Sequence, residues 1–167
     1  IFSLKNFSMN EGKKIFGLIR NLFPINRSLT GEGVRKTLKI LKTVNSKLKV
    51  QQINSGTKVF DWVVPKEWSI KEAFIKDSKG NKICDFKKNN LHLLQYSYPL
   101  KKKVNLINLT KILYSLPNMP KAIPYVTSYY KKRSGFCISH REKKKLKKGR
   151  YLINIDTSFK NGVLNYG

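Results

Sequence analysis

The stretch AFIKDSKGNKICDF at residues 73–86 carries the strongest fold signal in this chain. Apolar segments at 73–76 and 82–86 flank a polar segment at 77–81. Asp, Ser, Gly and Asn favour tight turns, because they tolerate left-handed backbone or hydrogen-bond to it, whereas aromatic and β-branched residues favour strands. The stretch therefore predicts a β-hairpin and a β-rich region around it.

Two helices are predicted before this hairpin. The first begins at a capping box formed by Ser8 and Glu11 and ends at Pro24. The second follows the glycine-containing loop 26–33, with Thr30 as its expected N-cap and Glu32 favourably placed in its first turn. The N-terminal segment is thus predicted to be a helix pair. Its apolar residues recur at helical spacing: Ile15, Leu18, Ile19, Leu22, Val34, Leu38, Leu41 and Val44.

The periodicity after the helix pair predicts a β-rich block with one further helix. That helix would begin at Asn105 and continue through 106–116, where leucines recur at helical spacing. The Lys-rich segment 141–150 is predicted to be a solvated hairpin tip rather than a binding tail. The fold class is therefore α+β. Besides the hairpin, strands are predicted at 48–53, 59–64, 91–98, 125–130, 135–139, 150–155 and 163–166.

The chain is strongly basic, with 35 Lys and Arg against 9 Asp and Glu and a net charge of +26. Such a charge is typical of proteins that bind nucleic acid or anionic membranes. However, only six of the basic residues are Arg, whose planar fork nucleic-acid readers favour, and the charge is spread along the whole chain. Lys, Asn and Ile are all abundant, as in a proteome with AT-rich codons. Composition-driven basicity is therefore the favoured interpretation, and a dedicated polyanion surface is the alternative.

The sequence indicates neither a membrane span nor a signal peptide. No apolar run approaches the roughly 20 residues that a span needs, and Lys5, Lys13 and Lys14 interrupt any signal-peptide core. We therefore expect a cytoplasmic protein without a membrane partner. The chain starts at Ile1 and stops at Gly167 within a strand-like pattern, which predicts a piece of a longer protein.

The cysteines and histidines do not form a recognisable metal motif. Cys84 and Cys137 lie in apolar contexts and form no CxxC pair, so we expect buried free thiols. A nucleophile built from Cys137, Ser139 and His140 is not favoured, because a strand would point His140 to the opposite face. His92 is expected to be a hydrogen-bonded strand histidine. No metal site and no catalytic residue is assigned within this chain.

Two segments contain candidate binding residues. Loop 26–33 could hold an anion on free N–H groups, but it lacks the known phosphate-loop patterns and Glu32 would repel a phosphate, so a capped helix start is favoured. Arg27 could bind a carboxylate or carbonyl, or could simply hold the loop. The second segment interleaves aromatic and basic residues, as a stacking surface for single-stranded RNA or a strand edge with packed tyrosines would: Tyr125, Tyr129, Tyr130, Lys131, Lys132, Arg133 and Phe136.

Several longer segments together resemble one protein family. They are FPINRSLTGEGVRKTL at 23–38, FDWVVPKEW at 60–68, NNLH at 89–92, IPYVTSYY at 123–130, GFCISH at 135–140 and GVLNYG at 162–167. The chain resembles the bacterial aminopeptidase-like domain proteins of unknown function, some of which are associated with polysaccharide biosynthesis. The resemblance covers nearly the whole chain. One departure is Ser134, where the family usually has a Trp, and we expect it to loosen local packing or a substrate-facing edge.

The resemblance implies an α/β zinc-aminopeptidase-like domain with an inserted β-rich domain. Residues 1–58 would be the N-terminal part of the aminopeptidase-like domain, 59–149 the inserted domain with one helix, and 150–167 the return strands. The family's zinc ligands follow the point that matches Gly167, so this N-terminal fragment would bind no zinc and would be inactive alone, since metal-assisted hydrolysis needs several His and carboxylate ligands.

The function implied by the resemblance is that of a cytoplasmic zinc-dependent hydrolase. Metal-bound water in the full-length protein would attack an N-terminal peptide or related amide bond. Two alternatives remain open: a small basic nucleic-acid-binding module, which is less favoured, and a non-catalytic family member that acts in polysaccharide biosynthesis. This chain would supply scaffold and part of the substrate-cleft rim, for which the candidate residues are Arg27, Thr30, Glu32, Tyr129, Tyr130 and Arg133.

Overall fold

A four-stranded antiparallel sheet forms the centre of the structure, a computed structural model that describes residues 9–167. From one edge to the other, its strands are Lys82–Asp85, Glu67–Lys76, Arg150–Lys160 and Leu100–Asn105. The mixed α+β class predicted from the sequence is confirmed. The helices are α1 (Met9–Leu22), α2 (Glu32–Val44), α3 (Leu106–Thr110) and α4 (His140–Lys144), with a 3-10 turn at Asn90–His92. The strands are β1 (Gln51–Asn54), β2 (Lys58–Val59), β3 (Trp62–Val63), β4 (Glu67–Lys76), β5 (Lys82–Asp85), β6 (Leu100–Asn105), β7 (Leu113–Tyr114), β8 (Phe136–Cys137), β9 (Arg150–Lys160) and β10 (Val163–Tyr166).

The predicted hairpin at 73–86 is confirmed as the β4–β5 pair. Asp77 organises its turn, because the carboxylate accepts hydrogen bonds from Lys79 N and Asn81 N, both at 2.9 Å. Gly80 has φ 86°, a left-handed conformation that a residue with a side chain rarely adopts. The turn residues therefore act as the sequence indicated.

The core lies on one face of this sheet. Residues alternate between buried and accessible along β9, so that Tyr151, Ile153 and Ile155 face the same apolar cluster as Ala73 and Ile75 of β4. Strand periodicity of two produces this pattern. β9 extends to Lys160 and pairs with both β4 and β6, so it is longer and more central than the strand predicted at 150–155.

The strand predicted at 91–98 is wrong. Asn89 caps a 3-10 turn there by accepting a hydrogen bond from Leu91 N at 3.0 Å, and His92 lies in this turn rather than in a strand. Leu93 to Ser97 then form a buried segment outside the regular strands. Several of its polar groups make individual hydrogen bonds, such as Ser97 Oγ to Leu94 O at 2.7 Å and Gln95 N to Val126 O at 2.9 Å, so a buried run here did not require a strand.

The neighbouring strand β6 was not predicted. It contains Lys101, Lys102 and Lys103, which hide the alternation of a strand. β6 is an edge strand of the sheet, where exposed lysines oppose pairing with other chains. The strand predicted at 125–130 is also wrong, because that segment is irregular apart from an isolated bridge between Gln95 and Thr127.

The helix predicted at 106–116 is much shorter than expected. Its cap is confirmed, since Asn105 Oδ1 accepts a hydrogen bond from Asn108 N at 2.9 Å. The helix ends at Thr110, and Leu113–Tyr114 instead forms β7, which pairs in parallel with β8. Tertiary pairing therefore overrides the helical spacing of the leucines.

The Lys-rich segment 141–150 is not a hairpin tip. Its first part belongs to helix α4, whose N-cap Ser139 accepts a hydrogen bond from Glu142 N at 3.2 Å. Ser139 and Glu142 have the spacing of a capping box, which the lysines that follow obscured. Most of the Lys side chains are exposed, as a solvated segment requires.

The predicted helix pair is present, but its capping residues differ. Ser8 lies outside the described residues. α2 is capped by Gly31, at φ 98° and without a side-chain cap bond, so Thr30 as the N-cap is wrong. The hydroxyl of Thr30 is used elsewhere, as described below. Glu32 in the first turn of α2 is confirmed.

The segments on either side of the central sheet pair with each other. β1 and β10 form a two-stranded antiparallel sheet in which Gln51 faces Tyr166 and Asn54 faces Val163. α2 packs against β10. β9, which precedes β10, is bonded along its length to strands of the predicted inserted domain. The division into domains at 58 and 149 stays a prediction.

Candidate functional site

Two clefts lie on either side of a shared wall. We call them the α2 cleft, about 510 Å³, and the tyrosine cleft, about 550 Å³. The α2 cleft is lined by Thr30, Glu32 and Trp68 among others. The tyrosine cleft is lined by rings of Tyr96, Tyr98, Tyr129, Tyr130 and Phe159 and by lysines at 66, 131 and 132. Both volumes fall within the roughly 300–1,000 Å³ typical of small-molecule sites.

The wall between the clefts is built from buried polar and aromatic side chains. Thr30 Oγ1 and the Tyr96 hydroxyl are 2.6 Å apart, and Thr30 Oγ1 also donates to Lys66 O at 3.3 Å. The Trp68 ring stacks on Tyr96 with centroids 5.5 Å apart, and its Nε1 donates to Ser97 O at 3.0 Å. Burial raises the pKa of Tyr96, which keeps this phenol neutral. Thr30 therefore fixes the wall of the clefts.

An ion-pair network ties the edge of the α2 cleft to the sheet. Arg35 binds Glu67 in a bidentate manner, with Nη1–Oε1 at 2.7 Å and Nη2–Oε2 at 3.0 Å. Its Nε also donates to Glu32 at 2.9 Å, and Glu67 Oε1 accepts from Val163 N at 3.0 Å. The hydrogen bond with Arg35 lowers the pKa of Glu67 below its usual range. Glu32 is thus held at the rim of the cleft by Arg35.

The loop before α2 requires glycine for close packing. A Cβ atom at Gly33 would lie 1.9 Å from Asn26 O, and one at Gly31 would lie 3.3 Å from Trp68 O. Arg27 is exposed and its Nη1 donates to Leu22 O at 3.0 Å, near the end of α1. This contact matches the interpretation in which Arg27 holds the loop, and its place on a substrate rim stays a prediction.

The tyrosine cleft brings together two of the predicted rim residues. The rings of Tyr129 and Tyr130 are 4.3 Å apart, and Tyr129 meets Tyr96 edge to face at 6.0 Å. Tyr98 and Phe159 stack at 4.5 Å on the other side. Aromatic pairs in these geometries stabilise each other beyond the area they bury. The structure thus provides a built aromatic surface at the predicted tyrosines.

Arg133 is placed differently from the two tyrosines. Its Nη2 donates to Thr127 O at 3.2 Å, and the guanidinium lies 5.9 Å from the centroid of Tyr114. Ser134, the family departure, donates to Tyr98 O at 2.7 Å. Ser134 therefore holds the backbone next to the tyrosine cleft. The substrate role of Arg133 also stays a prediction.

The histidines and cysteines serve structural contacts. His92 Nδ1 lies 2.9 Å from Cys137 O, and His140 Nδ1 lies 3.0 Å from Ser115 Oγ. Cys84 and Cys137 are free and buried, as expected. Burial raises the pKa of Cys137 to about 12 and that of Cys84 further, which opposes nucleophilic use of either thiol.

Residues 9–167 do not fit a zinc site. Within that range, no group of three or more His, Cys, Asp or Glu side chains could hold a metal ion. Structural and catalytic zinc sites both need at least three protein ligands.

None of the helices within residues 9–167 is long and apolar enough to cross a membrane.

The sequence did not reveal the residues that join these parts. Tyr96 was assigned to a strand, and Arg35 and Glu67 were not singled out. Arg35 and Glu67 are 32 positions apart, and Thr30 and Tyr96 are 66 apart. The local signal for the ion pairs was the spacing of Glu32 and Arg35, which lie three positions apart in one helix and therefore on the same face.

Three comparisons with known proteins agree on the family to which this chain is similar. Residues 67–158 match the domain of unknown function DUF2172. A protein from Clostridium acetobutylicum, named "Putative polysaccharide biosynthesis protein with aminopeptidase-like domain", is 46% identical over 160 residues, which are 96% of this chain. A crystal structure from the same organism, described as a "putative peptidase", matches with a TM-score of 0.87 and 46% identity over 93% of this chain. The chain spans 37% of the length of each.

Proposed function

The chain belongs to the DUF2172 family, and we propose that it supplies the scaffold and part of the substrate-cleft rim of a longer zinc-dependent aminopeptidase-like hydrolase. The observation that carries this proposal is the match to the "putative peptidase" structure at a TM-score of 0.87 and 46% identity. The longer protein would hydrolyse an N-terminal peptide or related amide bond, and its zinc ligands would lie outside this chain. Its cytoplasmic location stays a prediction.

The exposed face of the helix pair supports a role as scaffold. α1 exposes Ile15, Phe16 and Ile19, and α2 has no buried residue. Apolar helix faces of this kind are normally covered by another element. Because the chain spans 37% of its relatives, we propose that the remainder of the longer protein covers this face.

The clefts support a role at the substrate rim. Tyr129 and Tyr130 line a cleft of about 550 Å³, and Thr30 fixes its wall through Tyr96. Glu32 is oriented by Arg35 at the α2 cleft. These are the positioned polar and aromatic groups that a small-molecule or peptide site needs. Arg27 and Arg133 are exposed and would act at the edge of such a site through their guanidinium groups.

Hydrolysis of aminoacyl-p-nitroanilides tests the proposal. The longer protein, obtained from the reading frame that contains this segment, should release p-nitroaniline. A chelator should abolish the activity and zinc should restore it, whereas the 167-residue chain should be inactive. Chelator-sensitive activity of this chain alone would contradict the placement of the zinc ligands. An inactive, zinc-loaded longer protein would contradict the hydrolase proposal itself.

A non-catalytic role in polysaccharide biosynthesis is the second candidate. It is favoured by the similarity to the Clostridium acetobutylicum relative, which is named as a polysaccharide biosynthesis protein. The two candidates differ in one measurement, because a non-catalytic protein would not turn over any aminoacyl-p-nitroanilide whatever its metal content. The third interpretation, a nucleic-acid-binding module, depends on the charge of +26 and is tested by the RNA titration described below.

A further inference from the structure

The tyrosine cleft has an exposed aromatic platform at its edge. The ring of Tyr130 is 74% exposed although its neighbour Tyr129 is packed into the aromatic cluster. The hydrogen bond with Tyr129 is the main cause that raises the pKa of Tyr130, and the negative charge of Asp61 in the β2–β3 turn adds a smaller effect. Phe60 in the same turn is 92% exposed and has φ 54°. A non-glycine residue held in that conformation is often a functional feature.

Three lysines give the cleft a positive charge. Lys66, Lys131 and Lys132 line it, and all three are exposed. None of them takes part in the ion pairs found among residues 9–167. Lys132 Nζ lies 5.8 Å from the centroid of Tyr98, which places its charge over the aromatic wall. Charge complementarity therefore favours a ligand with an anionic group.

The ring geometry favours a sugar over a nucleobase. Tyr98 and Phe159 stack on each other at 4.5 Å, so their facing surfaces are already occupied. Tyr129 and Tyr130 are inclined by 46°, so a flat base could stack on the exposed Tyr130 ring alone and would lack a second parallel ring. One exposed ring and several ring-edge hydroxyls remain. A pyranose can place its apolar C–H face on a single ring and direct its hydroxyls to the phenols and ammonium groups that line the cleft.

We propose that the tyrosine cleft binds an anionic sugar, a pyranose that carries a carboxylate or a phosphate. Tyr130 is the platform for the sugar ring, and Lys131 and Lys132 bind the anionic group. The cleft volume of about 550 Å³ accommodates a short oligosaccharide segment. This site overlaps the proposed substrate rim, because Tyr130 belongs to both. The two proposals can nevertheless fail separately, since sugar binding is measured on this chain and hydrolysis on the longer protein.

Calorimetric titration at physiological ionic strength tests the proposal with four probes. They are tetragalacturonate, maltotetraose as a neutral α-1,4-linked tetrasaccharide of the same length, glucose 1-phosphate and a short oligouridylate. Tetragalacturonate or glucose 1-phosphate should bind, and the one that binds tighter identifies the carboxylate or phosphate source. Maltotetraose should bind at least about tenfold more weakly than tetragalacturonate if the carboxylate is read.

Matched variants locate the site. Tyr130→Ala should weaken binding of the anionic sugar by about tenfold, whereas Phe16→Ala, which removes an exposed ring from α1, should not. The double variant Lys131→Gln/Lys132→Gln should remove the preference over maltotetraose. Lys101→Gln/Lys103→Gln on β6 makes the same change in net charge elsewhere and should preserve that preference. Far-ultraviolet circular dichroism checks that each variant remains folded.

Four results would overturn the proposal. The first is no binding of either anionic sugar, and the second is equal binding of the neutral and anionic tetrasaccharides together with no binding of glucose 1-phosphate. The third is an equal loss of the preference for the anionic tetrasaccharide in the two double lysine variants. The fourth is tighter binding of oligouridylate than of both anionic sugars. The last result would support a single-stranded nucleic-acid surface instead, and its affinity should fall steeply with added salt.

Discussion

The central sheet and the N-terminal helix pair differ in where their apolar residues are placed. In the sheet, Ile75 and Ile153 are almost fully buried. In the helix pair, Ile19 is 54% exposed and α2 buries no residue completely. Both regions have a clear amphipathic pattern in the sequence, yet within the described residues the apolar face of the sheet is fully covered, whereas α2 is only partly covered by β10 and α1 exposes most of its apolar side chains. Amphipathicity thus predicts which side of an element is apolar and not whether this chain covers it.

Core truncation should give the largest difference between the two regions. Ile153→Ala on β9 should lower the free energy of unfolding by about 2–5 kcal/mol, because it removes buried methyl groups and leaves a cavity. Ile19→Ala on α1 removes the same atoms from an exposed position and should change it by less than about 0.5 kcal/mol. Urea unfolding at two protein concentrations measures both. Comparable losses would mean that the α1 face is covered, for example by self-association.

The Arg35–Glu67 pair joins the two regions and should give the next largest effect. Arg35→Met leaves the half-buried Glu67 carboxylate without its bidentate partner and should cost about 1–3 kcal/mol. Lys71→Met breaks the exposed pair with Asp156, 3.8 Å apart, and should cost less than about 0.5 kcal/mol. The two substitutions remove the same charge. Equal changes in the free energy of unfolding would show that the Arg35–Glu67 pair stabilises the protein no more than an exposed ion pair does.

The pH dependence of stability sharpens this test. The pKa of Glu67 is lowered in the folded protein from its ordinary 4.5, chiefly by the hydrogen bond with Arg35. The ionised Glu67 therefore contributes fully to the folding stability at pH values above its pKa in the unfolded protein. This contribution is lost as the pH falls through its pKa in the folded protein. Below about pH 4.5, the free energy of unfolding of the wild-type protein should fall more steeply with decreasing pH than that of Arg35→Met. Parallel pH profiles would contradict the assignment.

The Thr30–Tyr96 contact is a second connection between the two regions, and we expect its loss to change the free energy of unfolding by a smaller amount. Thr30→Val removes a buried hydroxyl 2.6 Å from the Tyr96 phenol and should cost about 1 kcal/mol or slightly more. Tyr96→Phe should cost a similar amount. Because both substitutions remove the same contact, the double variant should lose less than the sum of the two, as measured by thermal unfolding. Strict additivity would show that the contact does not contribute.

The smallest effect is expected at the α4 cap, at the periphery of the sheet region. Ser139→Ala removes the acceptor for Glu142 N and should cost about 0.5–1 kcal/mol. Ser139→Thr retains a hydroxyl that accepts from Glu142 N and donates to the Glu142 carboxylate, and it should recover much of that loss. Equal destabilisation by Ala and Thr, measured by urea unfolding, would indicate that the hydroxyl of Ser139 does not stabilise α4.

Local chemistry allowed the sequence to predict the elements with their own boundary signals. The β4–β5 turn at Asp77 and Gly80 and the Asn105 cap are of this kind. β6 was missed because an edge strand carries Lys at three successive positions. The segment 91–98 was assigned to a strand because buried backbone bonded by individual contacts has the same apolar composition. Strand periodicity alone could not separate these two cases.

The candidate site was predictable only as separate pieces. The tyrosines at 129 and 130 were found from the aromatic–basic run, and Thr30 from the loop before α2. Their connection through Tyr96 joins positions 66 residues apart and depends on the packing of Trp68. Such a contact is a result of the tertiary fold, and no local spacing indicates it. The ion pair between Arg35 and Glu67 was missed for the same reason.

The pairing of β1 with β10 has an evolutionary consequence. Because Asn54 and Val163 face each other across adjacent strands, the chain departs and returns at one place. Everything between them could be gained, lost or exchanged during descent without changing the spacing of the flanking segments. Such changes are least restricted away from the clefts, because Thr30–Tyr96 and Arg35–Glu67 tie the sheet to the segment that precedes β1. Relatives of this chain should accordingly vary most in length between these two strands.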